Sequence, residues 1–166
     1  MRKILFIFGQ LTDGDVSWLA TVGRRKRIAA GAVLIEEGVP VEILYIVLSG
    51  ELTVTQGKLR RPIARLGAGE VVGEMSFIDA RPPSATVSAV GDAVVYAVGK
   101  ERLQQELEAN APFAARFYKA VATFLSDRVR MALGADAGGE LDGNVLDNLD
   151  RAGARFDALG KQLLDG

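Results

Sequence analysis

The sequence predicts a mainly β domain: an antiparallel sandwich or roll of eight short strands, with a helix before it and helices after it. Three observations carry that expectation. From about residue 26 to residue 98, short apolar or alternating runs recur in strand-length pieces. Gly31, Gly38, Gly50, Gly57, Gly67, Gly69 and Gly91 separate those runs, as turn residues do between antiparallel strands. On both sides of this region the apolar spacing changes to a helical one.

Taken in order, the first element is a helix over residues 11–22. Thr12 can cap it, Asp15 three positions on can complete a capping box, and Val16, Leu19 and Val22 share a face with Trp18 beside it. Strands are then expected at 27–30, 33–35, 43–48, 51–55, 62–66, 70–72, 85–90 and 94–98. A helix over 100–110 carries Leu103 and Leu107. Pro112 opens another, over 112–133, in which Phe113, Phe117, Val121, Phe124, Leu125 and Val129 recur at helical spacing. Residues 134–140 are a linker by composition. Beyond it Leu141, Val145, Leu149, Ala152, Phe156, Leu159 and Leu163 follow a near-heptad seam, weakened by Gly143, Gly153 and Gly160. Such a helix needs a surface, either its own domain or a protein partner docked at 141–164. The expected organisation is a domain over 1–133, a linker over 134–140 and an amphipathic helix over 141–166.

Composition narrows the chemistry. Apolar residues make up 49% of 166, enough for a core, yet no apolar run approaches the ~20 residues of a membrane span. The opening run from Met1 to Phe8 is too short for a secretory leader and is read as part of the fold. The absence of cysteine fits a cytoplasmic protein and removes thiolate chemistry; the absence of histidine removes the common general base and metal ligand. No Walker-type loop and no acidic set at metal-ligand spacing stand in their place, so neither a catalytic nor a metal site is expected. A net charge of −1 argues against a general nucleic-acid binder. The two basic runs, Arg24-Arg25-Lys26-Arg27 and Lys58-Leu59-Arg60-Arg61, read as solvated edges or turns.

The most informative stretch is Gly73-Glu74-Met75-Ser76-Phe77-Ile78-Asp79-Ala80-Arg81-Pro82-Pro83-Ser84-Ala85-Thr86-Val87. It resembles the phosphate-binding cassette of the cyclic nucleotide-binding domain family. Three further motifs extend the likeness: Ala30 to Gly38, Tyr45 to Val54, and Leu66 to Glu74 match that family's two early hairpins and its approach to the cassette. The resemblance covers roughly residues 10–133. It implies an eight-stranded antiparallel jelly roll (a double-stranded β-helix) with an N-terminal helix and C-terminal helices, and a regulatory rather than catalytic role.

It also implies a site. Gly73 would allow close approach of backbone to ligand, and Glu74 would accept a hydrogen bond from the ribose hydroxyl. Met75 and Ser76 continue the cassette helix, whose amides face the phosphate in the family. Ser84 and the Ala85 amide would meet the phosphate from the far side. The family's arginine is missing: Pro83 holds its place, with neither a side-chain donor nor an amide. Losing that pair of charged hydrogen bonds weakens anion binding by about 10²- to 10⁴-fold. Arg81, two positions earlier, is the candidate substitute.

Two readings follow. In one, the chain is a stand-alone sensor of a cyclic nucleotide, cAMP or cGMP, homodimeric through the helix over 112–133. In the other, the pocket binds no cyclic nucleotide and the protein is a homodimerising scaffold or interaction module. Under either, residues 134–166 hold no recognition-helix pattern and no apolar run is long enough to span a bilayer, so neither operator DNA nor a membrane is an expected partner.

Overall fold

Eight strands form two four-stranded antiparallel sheets, and the expected jelly roll is present. The structure, a computed structural model, describes residues 3–79, 81–133, 153–158 and 161. The strands are β1 Arg24–Ile28, β2 Val33–Ile35, β3 Ile43–Ser49, β4 Leu52–Gln56, β5 Arg61–Leu66, β6 Val71–Val72, β7 Thr86–Ala89 and β8 Ala93–Gly99. One sheet runs β1-β8-β3-β6 and the other β2-β7-β4-β5. The chain divides into two compact units, residues 21–105 and residues 1–20 with 106–166.

Within the first unit the two sheets share one apolar cluster. Tyr45 and Val47 of β3 and Val95 and Ala97 of β8 meet Leu52 of β4 with Val87 and Ala89 of β7. The two-residue step within each strand is the pleat made visible. Strand β1 starts earlier than expected, because Arg24-Arg25-Lys26-Arg27 has no apolar alternation to announce a strand. It lies at the edge of its sheet, paired only with β8, where cations also discourage edge-to-edge association. Gly23, just before it, lies flat against Tyr96: its N–H donates to the Tyr96 hydroxyl at 3.1 Å, and a Cβ there would fall 2.5 Å from the ring.

The second unit is helical. It holds α1 Lys3–Gln10, α2 Asp13–Val22 and α4 Ala111–Ala132, while α3 Lys100–Ala109 leads in from β8. Helix α1 forms from the run the sequence placed within the fold without assigning it a shape. The capping box of α2 is made as expected, Thr12 N–H to the Asp15 carboxylate at 2.8 Å and Asp15 N–H to Thr12 Oγ1 at 3.2 Å. Asn110, expected to end one helix, instead caps the next: its side-chain oxygen accepts from Phe113 N–H at 3.1 Å.

Four of the six stripe residues of α4, namely Phe113, Phe117, Val121 and Phe124, are buried within the single chain. Helix α4 packs along α1, and Phe113 and Trp18 meet in a T-shaped contact at 5.5 Å between centroids. Among the described residues, the large apolar side chains of α4 left exposed are Tyr118 and Val129, with Leu133 just beyond it.

The linker over 134–140 and most of the expected tail helix lie outside the described residues. The described piece, residues 153–158, is helical and folds back on its own unit. Phe156 is buried, and the Arg155 guanidinium donates to the Phe8 and Leu11 carbonyl oxygens, both at 2.7 Å, and to Asp13 at 2.8 Å. Those carbonyls belong to the end of α1, where a helix leaves its last acceptors unpaired. Among the described residues no helix is long and apolar enough to cross a membrane.

Candidate functional site

Strand β6 is only two residues long because the chain turns at Gly73. That residue adopts φ +92° and ψ 0°, in the left-handed region. A Cβ there would lie 2.6 Å from the Ile43 carbonyl oxygen and 3.2 Å from Val41 Cγ1. Conformation and contact together demand glycine. A 3-10 helix, Glu74–Phe77, follows at once. Ser76 is spent on it: its hydroxyl donates to the Gly73 carbonyl at 2.7 Å, and its N–H reaches the same oxygen at 3.3 Å.

Glu74 is buried, 5% exposed, whereas Met75 and Ile78 face outward. Phe77 is buried too, with Lys100 Nζ 5.9 Å from its ring centroid.

Arg81 sits in the exposed connection that follows. Its guanidinium pairs with Asp79, Nε at 2.8 Å and Nη2 at 2.6 Å from Oδ2, and its own N–H donates to Oδ1 at 3.2 Å. Those hydrogen bonds hold the Asp79 carboxyl below its ordinary range. The arginine side chain is 86% exposed. It caps its own turn and points its charge at a neighbour two residues away.

The far end of the cassette is held by backbone. Gly38 N–H donates to the Pro83 carbonyl at 2.9 Å, and Glu37 N–H to Thr86 Oγ1 at 3.1 Å. Ser84 is exposed and Ala85 half-buried, just before β7. Both ends of the cassette therefore rest on one segment, residues 36–43, which joins β2 to the first residue of β3: Gly73 against Val41 and Ile43, Pro83 on Gly38, Thr86 on Glu37.

That same segment walls a cleft of about 340 Å³, with Val33 and Ile35 of β2, Glu36, Val41 and Glu42 of the connection and Tyr45 of β3 in its lining. The volume falls in the range of small-molecule sites. Its polarity is not that of an anion clamp, since Glu36 and Glu42 are carboxylates at an apolar wall. Among the described residues no group of acidic side chains is placed to hold a metal ion.

Of the residues picked out from sequence, Gly73, Glu74, Met75 and Ser76 share the turn after β6, Ser84 and Ala85 stand at the mouth of β7, and Arg81 lies apart on Asp79. The sequence marks the 36–43 segment only through the end of the Ala30 to Gly38 motif, which carries no sign that the cassette rests on it.

A family model described as "Cyclic nucleotide-binding domain" matches residues 25–110, more than half of the chain. An uncharacterized NTE family protein of Mycobacterium tuberculosis is 28% identical over 119 residues, covering 72% of this chain and 20% of that protein. A cAMP-dependent protein kinase regulatory subunit of Aspergillus fumigatus is 31% identical over 78 residues, covering 47% of this chain and 19% of that one. Among solved structures, the N-terminal domain of a transcriptional regulator from Streptomyces coelicolor superposes with a TM-score of 0.65 at 28% identity, over 81% of this chain and 96% of that one. The chain spans about a fifth of the length of these curated relatives.

Proposed function

The chain belongs to the cyclic nucleotide-binding domain family, and from that membership we propose that it is a ligand-responsive regulatory module acting in the cytoplasm, without catalysis of its own. The ligand is a cyclic nucleotide, cAMP or cGMP, held at the cassette. Glu74 takes the ribose hydroxyl, Ser84 and the Ala85 amide take the phosphate, and Gly73, Met75 and Ser76 shape the turn that receives the sugar. Binding is weak for this fold, because Pro83 contributes no guanidinium and Arg81 must leave Asp79 to contribute one. The output runs through α3 and α4 to a second copy or another protein at Tyr118, Val129 and Leu133.

The observation that supports this reading is the shared footing of the cassette. Both of its ends bear on residues 36–43, and those residues wall a cleft of small-molecule size. An occupant that shifts that segment shifts Gly73 and Pro83 together, which gives a ligand differential purchase on two arrangements. Pro83, together with the turned-away Arg81, favours a second reading: a scaffold of the same fold with a pocket that takes no cyclic nucleotide.

Thermal denaturation with added nucleotide separates the two. A ligand at 100 times its dissociation constant adds about 2.7 kcal/mol of stability. A rise in melting temperature with millimolar cAMP or cGMP supports the sensor. No rise with either nucleotide leaves the scaffold.

A further inference from the structure

The β4–β5 hairpin holds a surface that the cassette does not explain. From Leu52 to Leu66 it carries Lys58, Arg60, Arg61 and Arg65 and no acidic residue, in a chain of net charge −1. Arg65 is paired with Glu51 at the base of the hairpin. Glu37 accepts the Gly57 N–H at 2.8 Å, which fixes the start of the turn. Among the described residues, Lys58, Arg60 and Arg61 have no ion-pair partner. Between them stands Leu59, 89% exposed, at the summit of the turn. Arg60 beside it has a positive φ of +47°, the one non-glycine residue that does so among the described residues, so the turn holds its strained shape without glycine at that position. Ile63, also exposed, sits where the β4–β5 register shifts.

We infer that this hairpin tip is a docking surface for an anionic lipid bilayer, with Leu59 entering the interface and Lys58, Arg60 and Arg61 lying among the headgroup phosphates. Charge complementarity selects a polyanion. The apolar summit then selects the lipid: an aliphatic side chain ringed by cations gains from an interface, whereas a nucleic acid offers it nothing. No aromatic residue stands between Leu52 and Leu66 to stack on bases. Strand addition by a protein partner is disfavoured as well, because β5 is an edge strand with Pro62 in it. The sequence expectation of no membrane partner rested on the absence of a span. A peripheral contact needs none.

The full chain is tested by sedimentation with vesicles of phosphatidylcholine containing about one-third phosphatidylserine, against phosphatidylcholine alone. Binding is expected only to the anionic vesicles. Each cation removed lowers the partition coefficient about fivefold, so Lys58→Ala with Arg61→Ala lowers it about 25-fold. Leu59→Ser lowers it about tenfold while leaving the melting temperature unchanged, since that side chain supports nothing within the fold. Equal binding to both vesicles, no binding to either, or a Leu59→Ser variant that binds as the parent does would each overturn the assignment. A 20-base single-stranded DNA that competes the protein off the vesicles at equal phosphate concentration would also overturn it. The readout needs no cyclic nucleotide, so it stands or falls apart from the sensor proposal.

Discussion

Arg116 meets Asp15 fork to fork: Nε lies 2.7 Å from one carboxylate oxygen and Nη2 lies 2.8 Å from the other. Asp15 also completes the capping box of α2 with Thr12, so one carboxylate closes a helix start and ties α4 to α2. Burial alone would raise its pKa, but the hydrogen bonds from Arg116 and Thr12, with the guanidinium charge, outweigh that and hold it below its ordinary value of 3.8. A carboxyl depressed in the folded state stabilises the fold above its unfolded value and loses that contribution as pH falls through the folded one. Asp15→Asn is therefore expected to melt lower than the parent at pH 7. The gap between the two should narrow once the pH drops below 3.8. Melting curves from pH 7 downward check this; a gap that stays constant with pH would remove the ion pair from the account.

The tail segment anchors on the first helix. Phe156 is buried and Arg155 occupies carbonyls at the end of α1. Phe156→Ala should destabilise the protein by about 3 kcal/mol, the usual loss for a buried phenylalanine. Denaturant unfolding measures it directly. A loss under about 0.5 kcal/mol would mean that the tail serves something other than its own helices.

Gly73 is expected to tolerate no side chain. Its φ of +92° strains any L residue, and the Ile43 carbonyl oxygen occupies the space a Cβ needs. Gly73→Ala should cost about 1–3 kcal/mol and blunt any thermal shift caused by nucleotide, because Ile43 lies in the cleft wall. Gly57→Ala, at a turn glycine with open space around it, should cost less. Parallel melts of the two variants make the comparison.

The roll was readable because its information is local. Alternating strands and turn glycines predict antiparallel pairing, and each of the eight expected strands is found. Strand β1 was placed too late since four consecutive cations carry no period, and only pairing with β8 makes them a strand. The Thr12–Asp15 box is a four-residue signal and could be read directly. The destination of the α4 stripe could not: Phe113 and Phe117 announce a buried face, but helical spacing does not say what buries it. The site divides along the same line. Gly73 and Glu74 are contiguous and legible, whereas the footing of the cassette on residues 36–43 joins positions 30 to 50 apart. Asp79, which holds Arg81 outward, lay within the quoted motif, yet a sequence does not say which way an arginine turns.

Pro83→Arg isolates what the cassette lacks. The Pro83 carbonyl accepts from Gly38 N–H, and that bond survives any side chain at this position. Proline has no N–H to lose, so the substitution adds a donor without removing one. A guanidinium there would offer the phosphate two parallel charged hydrogen bonds, each worth about 1.5–3 kcal/mol. Calorimetric titration with cAMP and cGMP should show affinity rising by about 10²- to 10⁴-fold over the parent. Arg81→Ala should leave the parent's affinity within about twofold, because that guanidinium is turned to Asp79 and to solvent. A Pro83→Arg protein that folds and binds neither nucleotide would show that Glu74, Ser84 and Ala85 are not arranged around a cyclic phosphate, and the sensor proposal would fall with it.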